Sequence, residues 1–343
     1  MSRLLTRLGV LALAASTLSG AASAATPPSG DALFLEDYAE ARARARSLER
    51  PLLLDLYTDW CAPCRRMSAE VFPDPRVTAV LTRDFVPVKL DAEADTNAAL
   101  VARLGVSQFP TLVVLDADGA ELHRSVGFLG AEEFVAFAKE STNAQANGAA
   151  LLGRYASGAR APEFLRELVA YARQASLPQA STYIAEYLSA ADAWDTPEGQ
   201  ELLFGSVRDA DGPLFAELVA RQARLGARFG PGRVAERIGR LTDATLFPEG
   251  EDAERPSHRR ARAILARAYP SRADSAYVRY RMRVAREAGR TRRFGRWALR
   301  WERGFPPQDA GELDELIYVF ESRLPGWREA TVAEWRRRLA ALE

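Results

Sequence analysis

The sequence predicts an α/β domain followed by an all-α domain, on three observations. Up to about residue 141 strand-like and helix-like segments alternate and include a late hairpin. From about residue 149 apolar residues recur only at helical spacing. Between the two lies a small, polar stretch, 142–148 (TNAQANG), of linker or helix-end character. With 343 residues, 48% of them hydrophobic and 27% charged, the chain can bury two cores and is not a disordered polyelectrolyte. Its 46 basic and 46 acidic residues cancel, so net charge alone names no partner. Lys89 and Lys139 are the only lysines; all other basic residues are arginine.

The amino terminus reads as a signal peptide over residues 1–25. Arg3 and Arg7 precede an apolar run at 8–18 that is too short to span a bilayer, and Ala22-Ser23-Ala24 supplies the small residues of a cleavage site. The expectation is an exported (periplasmic or similar), soluble protein with no stable membrane insertion after cleavage; a retained anchor is the alternative. Pro27, Pro28 and Gly30 make the leader flexible.

In the first domain, 31–141, a helix is predicted over 31–48. The apolar run Leu52–Tyr57, bounded by Pro51 and Thr58, is a buried strand. Helices follow at 64–71 and 75–82, then a second strand at 85–90 and a helix at 96–104 stopped by Gly105. Thr111–Leu115 and Glu121–Val126 are strands joined by the turn signal Asp116-Ala117-Asp118-Gly119. Gly127 and Gly130 flank a bend before a last helix at 131–139. The second domain, 149–343, is punctuated by prolines at fairly regular intervals, a position that suits helix starts. Eight to eleven short antiparallel helices are expected, a solenoid being one arrangement, with no repeat signature strong enough to name a repeat family.

Cys61 and Cys64 are the chain's only cysteines and stand in Trp60-Cys61-Ala62-Pro63-Cys64. A strand followed by Cys-x-x-Cys at the opening of a helix suits thiol–disulfide exchange. The attacking species is a thiolate, and free N–H groups and the macrodipole at a helix start favour negative charge. Cys64, one turn on, would be within reach of Cys61 and more shielded. Pro63 falls in the first turn, where a missing N–H costs little. Two other readings stand beside this one. A structural disulfide across so small a loop removes little chain entropy. A zinc site needs two more ligands, and the two histidines, His123 and His258, fall in different domains. His123 is expected to face solvent from its strand.

Residues 31–141 resemble a thioredoxin-fold domain, close to exported thioredoxin-like proteins of the disulfide-interchange class. Four features in the right order carry the resemblance: Trp60 to Cys64, the acid Asp55 six residues before the first cysteine, Lys89 at the end of the second strand, and Pro110 in Gln108-Phe109-Pro110-Thr111. The family's helix-kinking proline is absent, Ala69 standing in its place, so the helix is expected to end early, near Phe72. The resemblance implies a central mixed sheet flanked by helices. It implies Cys61 as nucleophile and Cys64 as resolving thiol. Pro110 would face them in the cis form beside an extended edge open to a substrate backbone. Asp55 with Lys89 would move the proton of Cys64, and Trp60 would form an apolar rim. No cofactor beyond the Cys61–Cys64 disulfide is implied. The implied partners are protein substrates with cysteines and a membrane electron relay or thiol redox partner.

Charge is uneven along the chain. Between Arg255 and Arg303 there are sixteen arginines and three acids, whereas 31–141 carries nineteen acids and twelve bases. The basic segment reads either as a solvated face whose aliphatic stems cover apolar surface or as a docking surface for an acidic partner, a membrane or the acidic domain. Nucleic acid does not fit an exported protein. Phe294, Trp297 and Trp301, at helical spacing, read as core. The function expected is a thiol–disulfide oxidoreductase, reductase or isomerase rather than oxidase. The alternative is an adaptor whose helical domain binds a partner and whose first domain is a scaffold.

Overall fold

The computed structural model describes residues 33–250, 253–305, 310–326 and 328–341. The signal segment expected at 1–25 lies outside them. The chain divides into two compact units, 1–143 and 144–343.

The first unit is built on a four-stranded mixed sheet of order β2-β1-β3-β4, from β1 (Leu52–Tyr57), β2 (Val86–Asp91), β3 (Thr111–Leu115) and β4 (Glu121–Val126). β1 pairs parallel with β2 and antiparallel with β3; β3 pairs antiparallel with β4. The two central strands are covered on both faces and so read as continuous apolar runs, while β2 alternates. Leu52, Leu54 and Leu56 pack against α1 (Tyr38–Leu48) and α4 (Ala98–Leu104). Leu53, Leu112 and Val114 pack on the opposite face. There they meet Met67 and Phe72, Leu81 of α3 (Pro75–Asp84), and Phe134 and Phe137 of α5 (Ala131–Thr142).

Four expectations in this unit are corrected, three of them about its helices. The first helix starts at Tyr38, not near residue 31, because Asp37 caps it by accepting the N–H of Glu40 at 2.7 Å. Leu35 just before it is extended instead and bridges to β2 through Pro87 and Lys89. Its neighbour Phe34 packs on Phe72 at 4.8 Å between ring centroids. The helix expected at 64–71 is α2 (Ala62–Arg66) followed by a π turn, Met67–Val71, closed by the Phe72 N–H on the Met67 carbonyl at 3.0 Å. With Ala69 in place of a proline no N–H is missing there; Pro73, which has none, follows Phe72. The segment at 96–104 opens with a 3-10 turn at Asp95–Asn97 before α4, which Gly105 ends at φ +61°.

His123 is buried, 2% exposed, not solvent-facing: α5 covers its face of β4, and Phe137 lies 5.4 Å from its ring. Removal from water pushes its pKa down to about 4.

The described residues of the second unit hold twelve α-helices, more than the eight to eleven expected. They are α6 (Gly148–Ala156), α7 (Pro162–Gln174), α8 (Ala180–Ala190), α9 (Pro197–Ser206), α10 (Pro213–Ala220), α11 (Gln222–Phe229), α12 (Pro231–Leu246), α13 (His258–Ala268), α14 (Ala273–Glu287), α15 (Thr291–Gly304), α16 (Ala310–Arg323) and α17 (Glu329–Leu339). The surplus arises where Arg221 alone separates α10 from α11, and where Gly230 at φ +92° separates α11 from α12. Pro162, Pro197, Pro213 and Pro231 sit in the first turns of their helices, where the absent N–H has no intrahelical partner to lose. Packing runs mainly between sequence neighbours, as in α7 on α8 and α14 on α15. Two cores result. One extends from Leu151 to Tyr280; the other runs from Val278 to Trp335 and contains Phe294 and Trp301. Among the described residues no helix is long and apolar enough to cross a membrane.

Candidate active site

β1 delivers the chain to the site. After Tyr57 the backbone turns, and the N–H of Cys61 donates to the Thr58 carbonyl at 3.1 Å. Cys61 then caps α2 with extended backbone (φ −72°, ψ 103°), and its Sγ accepts the N–H of Cys64 at 3.2 Å. The first turn of α2 contains no acidic residue, and Pro63 occupies it at no cost to the ladder. A sulfur anion at Cys61 therefore meets a directed backbone donor and the positive end of the helix, with no carboxylate in that turn competing.

Cys61 and Cys64 form a disulfide, S–S 2.09 Å, with Cα atoms 5.3 Å apart. Both residues are 3% exposed, so the expected contrast between an open Cys61 and a shielded Cys64 is not found in this oxidised state. The capping geometry accounts for it: a cap side chain folds back over its own first turn, which carries Cys61 Sγ onto Cys64.

Asp55 and Lys89 are register partners on the adjacent parallel strands β1 and β2. Partners in such a ladder share a face, here the one on which Met67 and Val71 of the π turn pack. Asp55 is 1% exposed. Lys89 is half-buried; its Nζ donates to Ser68 Oγ in the π turn at 2.6 Å and lies 4.9 Å from the Tyr57 ring centroid. The sheet thus sets an acid and an amine side chain in register on the face that also meets the π turn following α2.

Trp60 is 65% exposed, the most open aromatic beside the cysteines. Its Nε1–H donates to Glu93 Oε1 at 2.9 Å, and Phe109 meets it edge to face at 6.1 Å. The peptide bond between Phe109 and Pro110 is cis. Pro110 is buried, and its carbonyl accepts the N–H of Gly127, which adopts φ +98°, at 2.8 Å. Thr111 Oγ1 donates to the Gln108 carbonyl at 2.7 Å. Ser68, Glu93 and Phe109 were not singled out from the sequence. Phe109 carried a signal, being next to Pro110; Ser68 and Glu93 carried none, since their partners come from distant segments.

With this geometry in place, the likeness to known proteins can be stated. Residues 38–141 match the thioredoxin-like domain family, and they have the thioredoxin fold: a mixed four-stranded sheet with helices on both faces and Cys-x-x-Cys opening the helix after β1. Among curated relatives, the thiol:disulfide interchange protein DsbD of Pectobacterium atrosepticum is 37% identical over 90 residues, which cover 25% of this chain and 16% of that protein. The protein of the same name from Ralstonia nicotianae is 39% identical over 100 residues, 28% of this chain and 16% of that protein. The chain thus spans about a sixth of the length of these relatives. Among solved structures, the oxidised C-terminal domain of Neisseria meningitidis DsbD is similar at 23% identity and TM-score 0.29, over 32% of this chain and 98% of that one. A thioredoxin from Thermus thermophilus is similar at 27% identity and TM-score 0.29, over 31% and 85%.

Proposed function

We propose that this chain is a thiol–disulfide oxidoreductase that exchanges disulfides with protein substrates outside the cytoplasm, working as a reductase or isomerase. The observation that carries the reading is the capping position of Cys61, where its Sγ accepts the Cys64 N–H in a first turn free of carboxylates. The name borne by the relatives over the matched residues, thiol:disulfide interchange protein, supports it. The apolar run at 8–18 with Ala22-Ser23-Ala24 behind it supports export.

In the reducing direction, the Cys61 thiolate attacks one sulfur of a substrate disulfide. A mixed disulfide forms and one substrate thiolate leaves. The Cys64 thiolate then attacks Cys61 Sγ, the second substrate thiolate departs, and the Cys61–Cys64 bond closes. Two electrons have passed to the substrate, and no bound cofactor is needed. Asp55, in register with Lys89, takes up the proton that Cys64 gives up before its attack. The exposed face of Trp60, held by Glu93 and Phe109, gives the substrate chain an apolar surface beside the dithiol. Each cycle leaves the enzyme oxidised, so a reductase needs a thiol donor, for which a membrane electron relay or a thiol redox partner is the class required.

Insulin reduction with dithiothreitol as donor tests the reading. The full chain is expected to turn over. Cys61→Ser should fall to the uncatalysed rate, and Cys64→Ser should accumulate a mixed disulfide with insulin, visible on a non-reducing gel. Turnover undiminished in Cys61→Ser would remove the enzyme reading and leave the adaptor.

A further inference from the structure

Ser68 stands where the helix of the dithiol meets the sheet. Burial from Cys64 onward follows the helical period: Cys64, Met67 and Val71 are buried and Ser68 is half-buried, while Arg65, Arg66, Ala69 and Glu70 are exposed. Residues three and four apart share a side of a helix, so Ser68 lies on the inward side that carries Cys64, one turn further on. The rise over those four residues is about 6 Å, and the Cα–Cβ bond of a helical residue leans toward the helix start, here toward Cys64.

Its hydroxyl is used differently from others in the protein. Thr82, Thr242 and Thr245 each donate to the carbonyl four residues before, the ordinary local bond of a hydroxyl inside a helix. Ser68 Oγ instead accepts a hydrogen bond from Lys89 Nζ on β2 at 2.6 Å. Lys89 is itself an exception, one of two lysines among 46 basic residues. An ammonium group is a compact charge on a flexible four-carbon stem, with three donors to share among its partners. A head of that kind has to be placed by what surrounds it. Ser68 Oγ and the Tyr57 ring, 4.9 Å away, are two of the groups that place it.

We propose that Ser68 is a positioning residue for the second step of disulfide exchange, acting through Lys89. The assignment rests on the thiol–disulfide reading and deepens it. In that step the S–H bond of Cys64 breaks and its proton passes to Asp55. The electron pair left on Cys64 Sγ attacks Cys61 Sγ, and the substrate thiolate departs with the pair of the broken bond. Ser68 keeps the Lys89 ammonium group one helical turn from the sulfur on which the charge appears. The charge then forms against a cation already in place. The first step draws on other groups, the start of α2 and the Cys64 N–H that Cys61 Sγ accepts, and does not need Ser68.

The test is stopped-flow reaction of the reduced full chain with dithiobis(nitrobenzoate), an aromatic disulfide that yields two identical coloured thiolates. Attack by Cys61 releases the first in a phase whose rate rises with reagent concentration; attack by Cys64 releases the second in a phase whose rate does not. Ser68→Ala is expected to leave the first phase at the wild-type rate and to slow the second about ten-fold, the size of a hydrogen bond to a charged group. Ser68→Thr, which keeps the hydroxyl, should restore the second phase. Lys89→Met should slow the second phase at least as much as Ser68→Ala does. Adding Ser68→Ala to it should slow that phase no further, as two residues acting through one contact require. The serine variants change only a hydroxyl or a methyl group, so that pair decides the matter even if Lys89→Met does not fold. The inference is overturned if Ser68→Ala leaves the second phase unchanged, if it slows both phases alike, if Ser68→Thr behaves as alanine does, or if Ser68→Ala still slows a folded Lys89→Met chain. A wild type that lacks the concentration-independent phase would overturn the redox reading and this inference with it. A wild type with both phases beside an unaffected Ser68→Ala would overturn the inference alone.

Discussion

The two units differ in where their telling ionisable groups lie. The first sets one acid in its core: Asp55 is 1% exposed at the centre of the sheet, and half-buried Lys89 is its register partner on the neighbouring strand. The second spreads its arginines over the surface and lays many of them on aromatic rings, as with Arg160 over Tyr155 at 3.7 Å or Arg154 over Phe164 at 4.4 Å. A buried ionisable group is costly to charge unless matched, so a core that keeps one has to be built around it. A stacked surface guanidinium costs little to keep and constrains little around it.

The contrast extends to how each unit is held together, and the largest expected effect tests that. The sheet domain closes through pairings between distant segments, Leu35 to Val88 and Leu52 to Leu115 among them, whereas the helical unit packs mainly on sequence neighbours. Phe72 is fully buried in one core and Phe215 in the other. Replacing either by alanine should cost about 3–5 kcal/mol in urea unfolding. Amide exchange measured by mass spectrometry should separate them. Phe72→Ala should speed exchange in β1 and β3 together, because Leu53, Leu112 and Val114 share its core. Phe215→Ala should speed it in α8, α9 and α10, with the sheet left as it was. Equal acceleration of the sheet by both changes would mean that the two cores unfold as one and that the division is only geometric.

That difference in construction also sets what could be read in advance. In the sheet domain, strand limits, the hairpin at Asp116–Gly119 and the cysteine-bearing turn are local patterns and are legible. Asp55 and Lys89 were legible only through resemblance, because their meeting depends on the register of two strands some thirty residues apart. Ser68 and Glu93 were illegible for the same reason, with no local rule joining Ser68 to Lys89 or Glu93 to Trp60. The start of α1 is illegible locally because Phe34 continues the helical spacing of Tyr38, Ala41 and Ala45, while the partners of Phe34 and Leu35, Phe72 and β2, lie elsewhere in the chain. In the helical unit the elements follow from periodicity and proline. The opening between its two cores, lined by residues of α12 to α16, does not, because it depends on where those cores fail to merge.

The chain has two histidines, one in each unit, and they sharpen the comparison at smaller cost. His123 sits under α5, and burial lowers its pKa to about 4 from the ordinary 6.5. Between those values the unfolded chain takes up a proton that the folded one refuses. Stability is therefore full above about pH 6.5 and declines as pH falls toward 4. The two values bound the loss at about 3 kcal/mol, at 1.36 kcal/mol for each pH unit. His123→Gln should flatten that part of the urea-midpoint profile between pH 7 and pH 4.5. An unchanged slope in the variant would assign the acid sensitivity to carboxylates.

His258 supplies the smallest effect and the cleanest contrast. It stands at the first position of α13, exposed, and its pKa is also lowered, by partial burial first and then by Arg281 and Arg293. The sign is the same, stability lost as pH falls below the ordinary histidine range, but the cause is partly long-range charge at an open surface. Salt should therefore tell the two apart. Added salt screens arginines around an exposed ring and leaves the desolvation of an enclosed one almost untouched. Titrated by NMR, His258 is expected to move back toward 6.5 as salt rises, while His123 stays near 4. Should both shift alike, the enclosed-versus-displayed distinction between the units would fail at the residues best suited to report it.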